Sequence, residues 1–178
     1  MTEPGEPGEQ QDRLARLWAG WRLPYLESDA TESGDDAACV FCRILESDEP
    51  PDKTYVVWRD DRCAAVLNAF PYTSGHLMVM PVRHHADIED LEGEEAVHLW
   101  GVVSSAVRAL RAAYSPEGLN IGVNLGRAAG AGVPGHFHVH CVPRWNGDTN
   151  FMTVLAETRV LPEALPSTFE RLRAAWPD

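Results

Sequence analysis

The chain has 178 residues with 15 Lys and Arg against 27 Asp and Glu, a formal charge of −12, and that length closes one hydrophobic core but is short for two. Residues 1–52 hold 13 acids and 4 bases, leaving 14 acids and 11 bases in the rest, and nowhere do cations cluster as a DNA or RNA partner requires. No stretch has the apolar length of a membrane span, and Met1 to Gln11 lack the order of an export signal, so the expectation is a cytoplasmic protein with no membrane and no nucleic-acid partner.

Residues 1–12 are acidic and rich in Gly and Pro, which predicts a disordered tail. Residues 13–38 carry Leu14, Leu17, Trp18, Trp21 and Leu23 and then the polar run Glu27 to Ala37, which reads as an arm that docks in part and a linker. The main domain is placed at 39–160, beginning with Cys39-Val40-Phe41-Cys42-Arg43-Ile44-Leu45. Short runs at Thr54–Trp58, Cys63–Leu67 and His76–Met80 have strand character, and the turn signals Arg59-Asp60-Asp61 and Pro71-Tyr72-Thr73-Ser74-Gly75 separate them, as antiparallel neighbours require.

Glu94 to Tyr114 places Val97, Trp100, Val103, Val107, Leu110 and Tyr114 at steps of three or four, predicting a long helix with these residues as its buried stripe. Leu119–Asn124 and Phe137–Val142 read as strands around the glycine-rich segment Gly126–Gly135. Residues 161–178 are expected to form a closing helix over Pro162 to Trp176, with Pro162 in the first turn, where its missing N–H costs no bond. The pattern as a whole is α+β, an antiparallel sheet with a long helix packed on it.

Polar and apolar residues alternate through Gly135-His136-Phe137-His138-Val139-His140-Cys141-Val142-Pro143-Arg144. At the strand period, His136, His138 and His140 share one face, expected at the surface, while Phe137, Val139 and Cys141 enter the core. Neutral imidazole is a nucleophile or proton carrier whose tautomer is set by what holds its other nitrogen. A solvated face carrying histidines by chance explains such a row poorly. A catalytic zinc with an open water position fits the same spacing, so spacing alone leaves nucleophile and metal ligand open. The preceding segment, Asn124-Leu125-Gly126-Arg127-Ala128-Ala129-Gly130-Ala131-Gly132, offers amide donors and one cation suited to phosphate, without the lysine or spacing of a P-loop. Among the four cysteines only Cys39 and Cys42 are close in sequence; a redox dithiol and two packed thiols are the alternatives to a metal pair.

His136 through Val142, continued by Pro143-Arg144, resembles the signature of the histidine triad superfamily. Val66-Leu67-Asn68 with Pro71 through Pro81 is similar to that family's nucleoside-binding strand, turn and next strand. Cys39-Val40-Phe41-Cys42 resembles its zinc-bearing members, so the likeness spans roughly residues 39–160. Leu17-Trp18, Trp21-Arg22 and Trp145 through Phe151 look like bacterial diadenosine tetraphosphate phosphorylases of that family. Those proteins carry a serine where this chain has Ala131-Gly132-Val133-Pro134, which leaves the phosphate acceptor open.

The resemblance implies an enzyme acting on a small nucleotide. His138 attacks the α-phosphorus to form a nucleotidyl-histidine, and His140, Asn124 and the amides near Gly126 meet the phosphoryl charge, with Arg127 as a longer-range cation. Asn68, in place of the usual aspartate, meets the ribose and Phe70 borders the base. It further implies a structural zinc held by Cys39, Cys42, His84 and His136, with His84 preferred over His85, and a symmetric homodimer. His76 is expected to make a structural hydrogen bond in its turn, and His98 to lie exposed off the helix stripe.

Overall fold

A computed structural model describes residues 39–148 and 163–177. The tail and arm expected at 1–12 and 13–38 lie outside the described residues, as does Pro162. In chain order the elements are α1 (Val40–Glu46), α2 (Pro51–Thr54), β1 (Val56–Arg59), β2 (Cys63–Leu67), β3 (Leu77–Pro81), α3 (Gly93–Tyr114), β4 (Gly118–Val123), β5 (Val139–Arg144) and α4 (Leu165–Ala175). The strands form one sheet in the order β1-β2-β3-β5-β4, with every neighbouring pair antiparallel. This is the α+β architecture the sequence predicts.

Each face of the sheet has its own apolar cluster, because side chains alternate between faces along a strand. Cys63, Ala65, Leu67, Leu77, Val79, Phe137, Val139 and Cys141 pack with Leu99, Val102, Val103, Ala106, Ala109 and Leu110 of α3 and with Phe169 and Leu172 of α4. Ala64, Val66, Met78 and Met80 point the other way and pack against Cys39, Phe41, Cys42 and Leu45 of the α1 region. Both β2 and β3 are therefore buried along their whole length. The Arg59 guanidinium donates to the carbonyl of Leu45 and ties the end of α1 to β1.

Four expectations shift. Residues Pro51–Thr54 form a helical turn, and Tyr55 at φ 57° turns the chain so that β1 starts only at Val56. Strand β5 starts at Val139, and the two histidines before it lie on the chain leading in. The buried stripe of α3 is rotated from the expected one: Val97 is 76% and Trp100 49% exposed, whereas Leu99, Ala106 and Ala109 are fully buried. Alanine contributes little to an apolar pattern but allows close approach to the sheet, and that decides which side of the helix faces inward. The proline in the first turn of α4 is Pro166, one turn later than expected; Phe169 of the helix packs on Tyr55, just before β1, and Trp176, just after the helix, stacks on Trp58 of β1.

Gly75 sits at φ +82°, and a Cβ there would lie 2.9 Å from the ring of Tyr114. Glycine meets both demands at once, a left-handed turn and contact with α3.

Candidate active site

His136 and His138 are 1% and 4% exposed, and only His140 is partly open. The expected surface row of three imidazoles is corrected accordingly: the histidines do share the face opposite α3, but α1 covers the first two. Phe41 presses edge-on against both, at 5.6 Å from the His136 ring and 5.1 Å from that of His138.

The Nδ1 of His138 lies 2.8 Å from the carbonyl oxygen of His136. A carbonyl only accepts, so Nδ1 carries the proton and Nε2 keeps its lone pair. Burial lowers the pKa of His138 below 6.5, against the raising effect of that hydrogen bond, so the ring is neutral at pH 7. The His140 ring is 4.8 Å from His138, and its Nδ1 is 3.0 Å from Nε2 of His76. His76 is 1% exposed. The predicted structural bond in its turn exists, from Tyr72 N–H to Nδ1 at 3.1 Å. Sequence reasoning missed the second bond, to a histidine 64 positions away.

His138 and His140 line a cavity of about 820 Å³. Phe41, Ile44, Val66 and Met78 give it an apolar wall, and Asn68 and Phe70 also line it. Phe70 is 78% exposed and so forms a rim. Oδ1 of Asn68 accepts from the N–H of Phe70 at 2.9 Å, and Nδ2 is 3.4 Å from Nδ1 of His76; one lone pair and one N–H of the amide remain for a ligand. The glycine-rich segment contributes Gly130 and Gly132 to the wall, whereas Asn124, Gly126 and Arg127 are not among the lining residues. Asn124 instead donates to the carbonyl of Gly130 at 3.5 Å and shapes the loop from within. Arg127 is exposed at the start of a single 3₁₀ turn. Arg43 and Lys53 are cations of the cavity wall that sequence reasoning did not single out; they are isolated in sequence and carry no motif.

Behind this wall, one ligand atom each from Cys39, Cys42, His84 and His136 lies within 4.8 Å of the others. The Sγ of Cys42 is 3.2 Å from Nδ1 of His84, and the Sγ of Cys39 is 3.5 Å from Nδ1 of His136. Cys39 and Cys42, three apart around the start of α1, fall on one side of it. His136 donates from Nε2 to the carbonyl of Pro81 at 2.9 Å, which turns the lone pair of Nδ1 toward the thiols. Burial pushes the His136 pKa down to about 4, keeping the ring neutral as a ligand must be. The set suits a tetrahedral ion such as zinc. His85 is turned away, bonded to the carbonyl of Asp87 at 3.1 Å and stacked on Phe137, and His84 is the one of the two that stands with the thiols. Cys63 and Cys141 lie on the opposite face in the α3 core, their pKa values pushed up to about 12 by burial; they are packed thiols.

The sequence matches the HIT domain family over residues 49–147. It is 38% identical over 169 residues to the AP-4-A phosphorylase of Mycobacterium tuberculosis, covering 94% of this chain and 87% of that protein. It is 34% identical over 116 residues to the protein hit of Bacillus subtilis, covering 65% and 77% of the two chains. Among solved structures, a Zn-bound histidine triad family protein from Mycobacterium smegmatis superposes with a TM-score of 0.63 at 32% identity, covering 79% of this chain and 94% of that one.

Proposed function

Because the chain belongs to the HIT domain family, we propose that it is a phosphorylase or hydrolase of dinucleoside polyphosphates of the diadenosine tetraphosphate class, working through a nucleotidyl-histidine. The observation that carries this reading is the fixed tautomer of His138: Nδ1 is bound to the His136 carbonyl, and the ring, neutral and outside the metal cluster, lines the cavity. In the first step Nε2 of His138 bonds to the α-phosphorus and the P–O bond to the departing polyphosphate breaks. In the second, an oxygen of phosphate or water bonds to phosphorus, the N–P bond breaks, and neutral His138 is restored.

The base and ribose lie against Phe41, Phe70 and Asn68, and His140 meets the charge of the phosphoryl oxygens. The loop supplies amides through Gly130 and Gly132, with Asn124, Gly126 and Arg127 supporting it from outside the cavity wall. Cys39, Cys42, His84 and His136 would hold a zinc ion, which would be structural there and would fix α1 to the histidine segment. Exposed Val97 and Trp100 on α3 support a homodimer. A cytoplasmic location accords with the finding that no described helix is long and apolar enough to cross a membrane.

The AP-4-A phosphorylase likeness favours phosphate as second acceptor. The test is incubation with diadenosine tetraphosphate, with and without phosphate. ADP and ATP formed only with phosphate support the phosphorylase; AMP and ATP without it support the hydrolase. Turnover of nucleoside phosphoramidates alone moves the substrate class, and no turnover of any nucleotide leaves a binding module. The reading in which all three histidines bind a catalytic metal predicts metal loss in His138→Ala; against it, only His136 of the three stands in the cluster with Cys39, Cys42 and His84.

A further inference from the structure

We propose that Glu49 and Lys53, on the connection that follows α1, read the outer edge of the base: the Glu49 carboxylate accepts from the 6-amino group of adenine and the Lys53 ammonium donates to its N1. The inference rests on the proposed function, which makes an adenine nucleotide the ligand, and it names the residues that select that base.

Phe41 packs on the His138 ring at 5.1 Å. Ser47, which caps α1 six residues later, lies about 9 Å further along the helix axis at the usual rise. Both residues line the cavity, with Ile44 of the apolar wall between them. The cavity therefore has two polar ends: His138 and His140 with Gly130 and Gly132 at one, and Ser47, Glu49, Lys53 and Thr54 at the other. The N–H of Leu67 donates to the carbonyl of Tyr55 at 3.1 Å, which sets Lys53 and Thr54 beside the end of β2 that runs into Asn68. A nucleotide with its phosphorus at His138 and its base flat on the apolar wall directs the edge of that base toward the second end.

The connection is a closed turn. The Ser47 hydroxyl accepts from the N–H of Glu49 at 3.1 Å, Pro50 and Pro51 fix two successive φ angles, and the N–H groups of Lys53 and Thr54 bond back to the Pro50 carbonyl at 2.9 and 3.3 Å. Glu49 and Lys53 are thus carried on a backbone that loses little freedom when a ligand enters. The Lys53 ammonium is 3.9 Å from Asp52, with the two side chains 66% and 53% exposed, a contact too weak to keep it from a ligand. A carboxylate is out of place beside the phosphates of a polyanion. At the far end it meets the base instead, where its charge strengthens the bond from an amino group. Hypoxanthine reverses both partners: its oxygen at position 6 faces the carboxylate, and its N1–H faces the ammonium, so neither bond forms.

The test measures equilibrium binding of AMP and of inosine monophosphate, which differ only at position 6 and N1, to the full chain. The inosine nucleotide is expected to bind about tenfold more weakly than AMP. Glu49→Gln should weaken AMP and bring the two within about threefold, because an amide offers both donor and acceptor. The double exchange of Glu49→Lys with Lys53→Glu keeps the net charge and should invert the preference, which no general loss of packing produces. Equal affinities in the wild type overturn the inference, as does a parallel loss of both nucleotides in Glu49→Gln, or a double exchange that still prefers AMP. Turnover of diadenosine tetraphosphate with both monophosphates bound alike sinks the base reading alone. Selective binding of AMP without turnover of any nucleotide sinks the proposed reaction and leaves the base reading standing.

Discussion

On one face of the sheet, Cys63, Ala65, Leu67, Leu77, Val79, Val139 and Cys141 meet two helices, α3 and α4, in a continuous apolar cluster. On the other face, Ala64, Val66, Met78 and Met80 are covered by the seven-residue α1, and the remaining surface holds the histidines and the cavity. A helix of that length has little stability of its own. The first face is held by area removed from water; on the second, Cys39, Cys42, His84 and His136 stand close enough to share one metal ion, which would tie the cover to the histidine segment. The larger apolar cluster and the candidate site thus lie on opposite sides of one set of strands.

The largest effect expected on the site face is that of His138→Ala, which removes the proposed attacking atom. Turnover of diadenosine tetraphosphate should fall on the order of 10³-fold or more, with bound zinc and nucleotide affinity largely unchanged. Metal lost together with activity would instead place His138 among the ligands and merge the cavity with the cluster behind it.

Leu110→Ala probes the helix face. Leu110 is fully buried beneath the sheet, and truncation should cost about 2–5 kcal/mol in denaturant unfolding, while kcat per folded molecule is retained. A drop in kcat at full folding would show that the two faces are coupled more tightly than their separate clusters indicate.

Withdrawal of metal, by chelation or by Cys42→Ser, is the converse probe. Amide exchange should quicken in Val40–Glu46 while β2, β3 and α3 keep their protection, and nucleotide Kd should rise about tenfold, or ~1.4 kcal/mol, as Phe41 loses its seat. Global unfolding on chelation would break the division.

Asp60 gives the smallest effect, at the edge of the helix face. Burial tends to raise its pKa, but N–H bonds from Cys63 and Arg62 and the pairing with His98 at 2.6 Å outweigh it, and the carboxyl is held below 3.8. A lowered carboxylate pKa stabilises the fold above the unfolded value and loses that contribution as pH falls through the folded one. Asp60→Asn should therefore lose under about 1 kcal/mol at neutral pH, and the gap to wild type should close in acid unfolding below pH 3.8. A gap independent of pH would assign the loss to packing. The same pair corrects the expectation that His98 lies exposed: it is half-buried and ties α3 to the β1–β2 turn.

The strands, the long helix and the histidine triad were legible because each is written in residues near one another in sequence. Cys39 and Cys42 were legible as a pair for the same reason. Less was visible wherever two local patterns competed. In Glu94 to Tyr114 two overlapping stripes share Val103 and Leu110, and only contact with the sheet puts Leu99, Ala106 and Ala109 inside and Val97 and Trp100 outside. His84 and His85 are equivalent as neighbours in sequence, and the packing of His85 on Phe137 separates them.

Alternation along the chain by itself determined which imidazoles share a face, since successive residues of an extended chain must point to opposite sides. Tertiary structure alone decided their chemistry. Each ring has its own partner in the fold: a carbonyl two residues away for His138, a second histidine from the adjacent strand's turn for His140, and the Pro81 carbonyl for His136. An imidazole has two nitrogens and one mobile proton, so its role is set by the atoms folding brings to it.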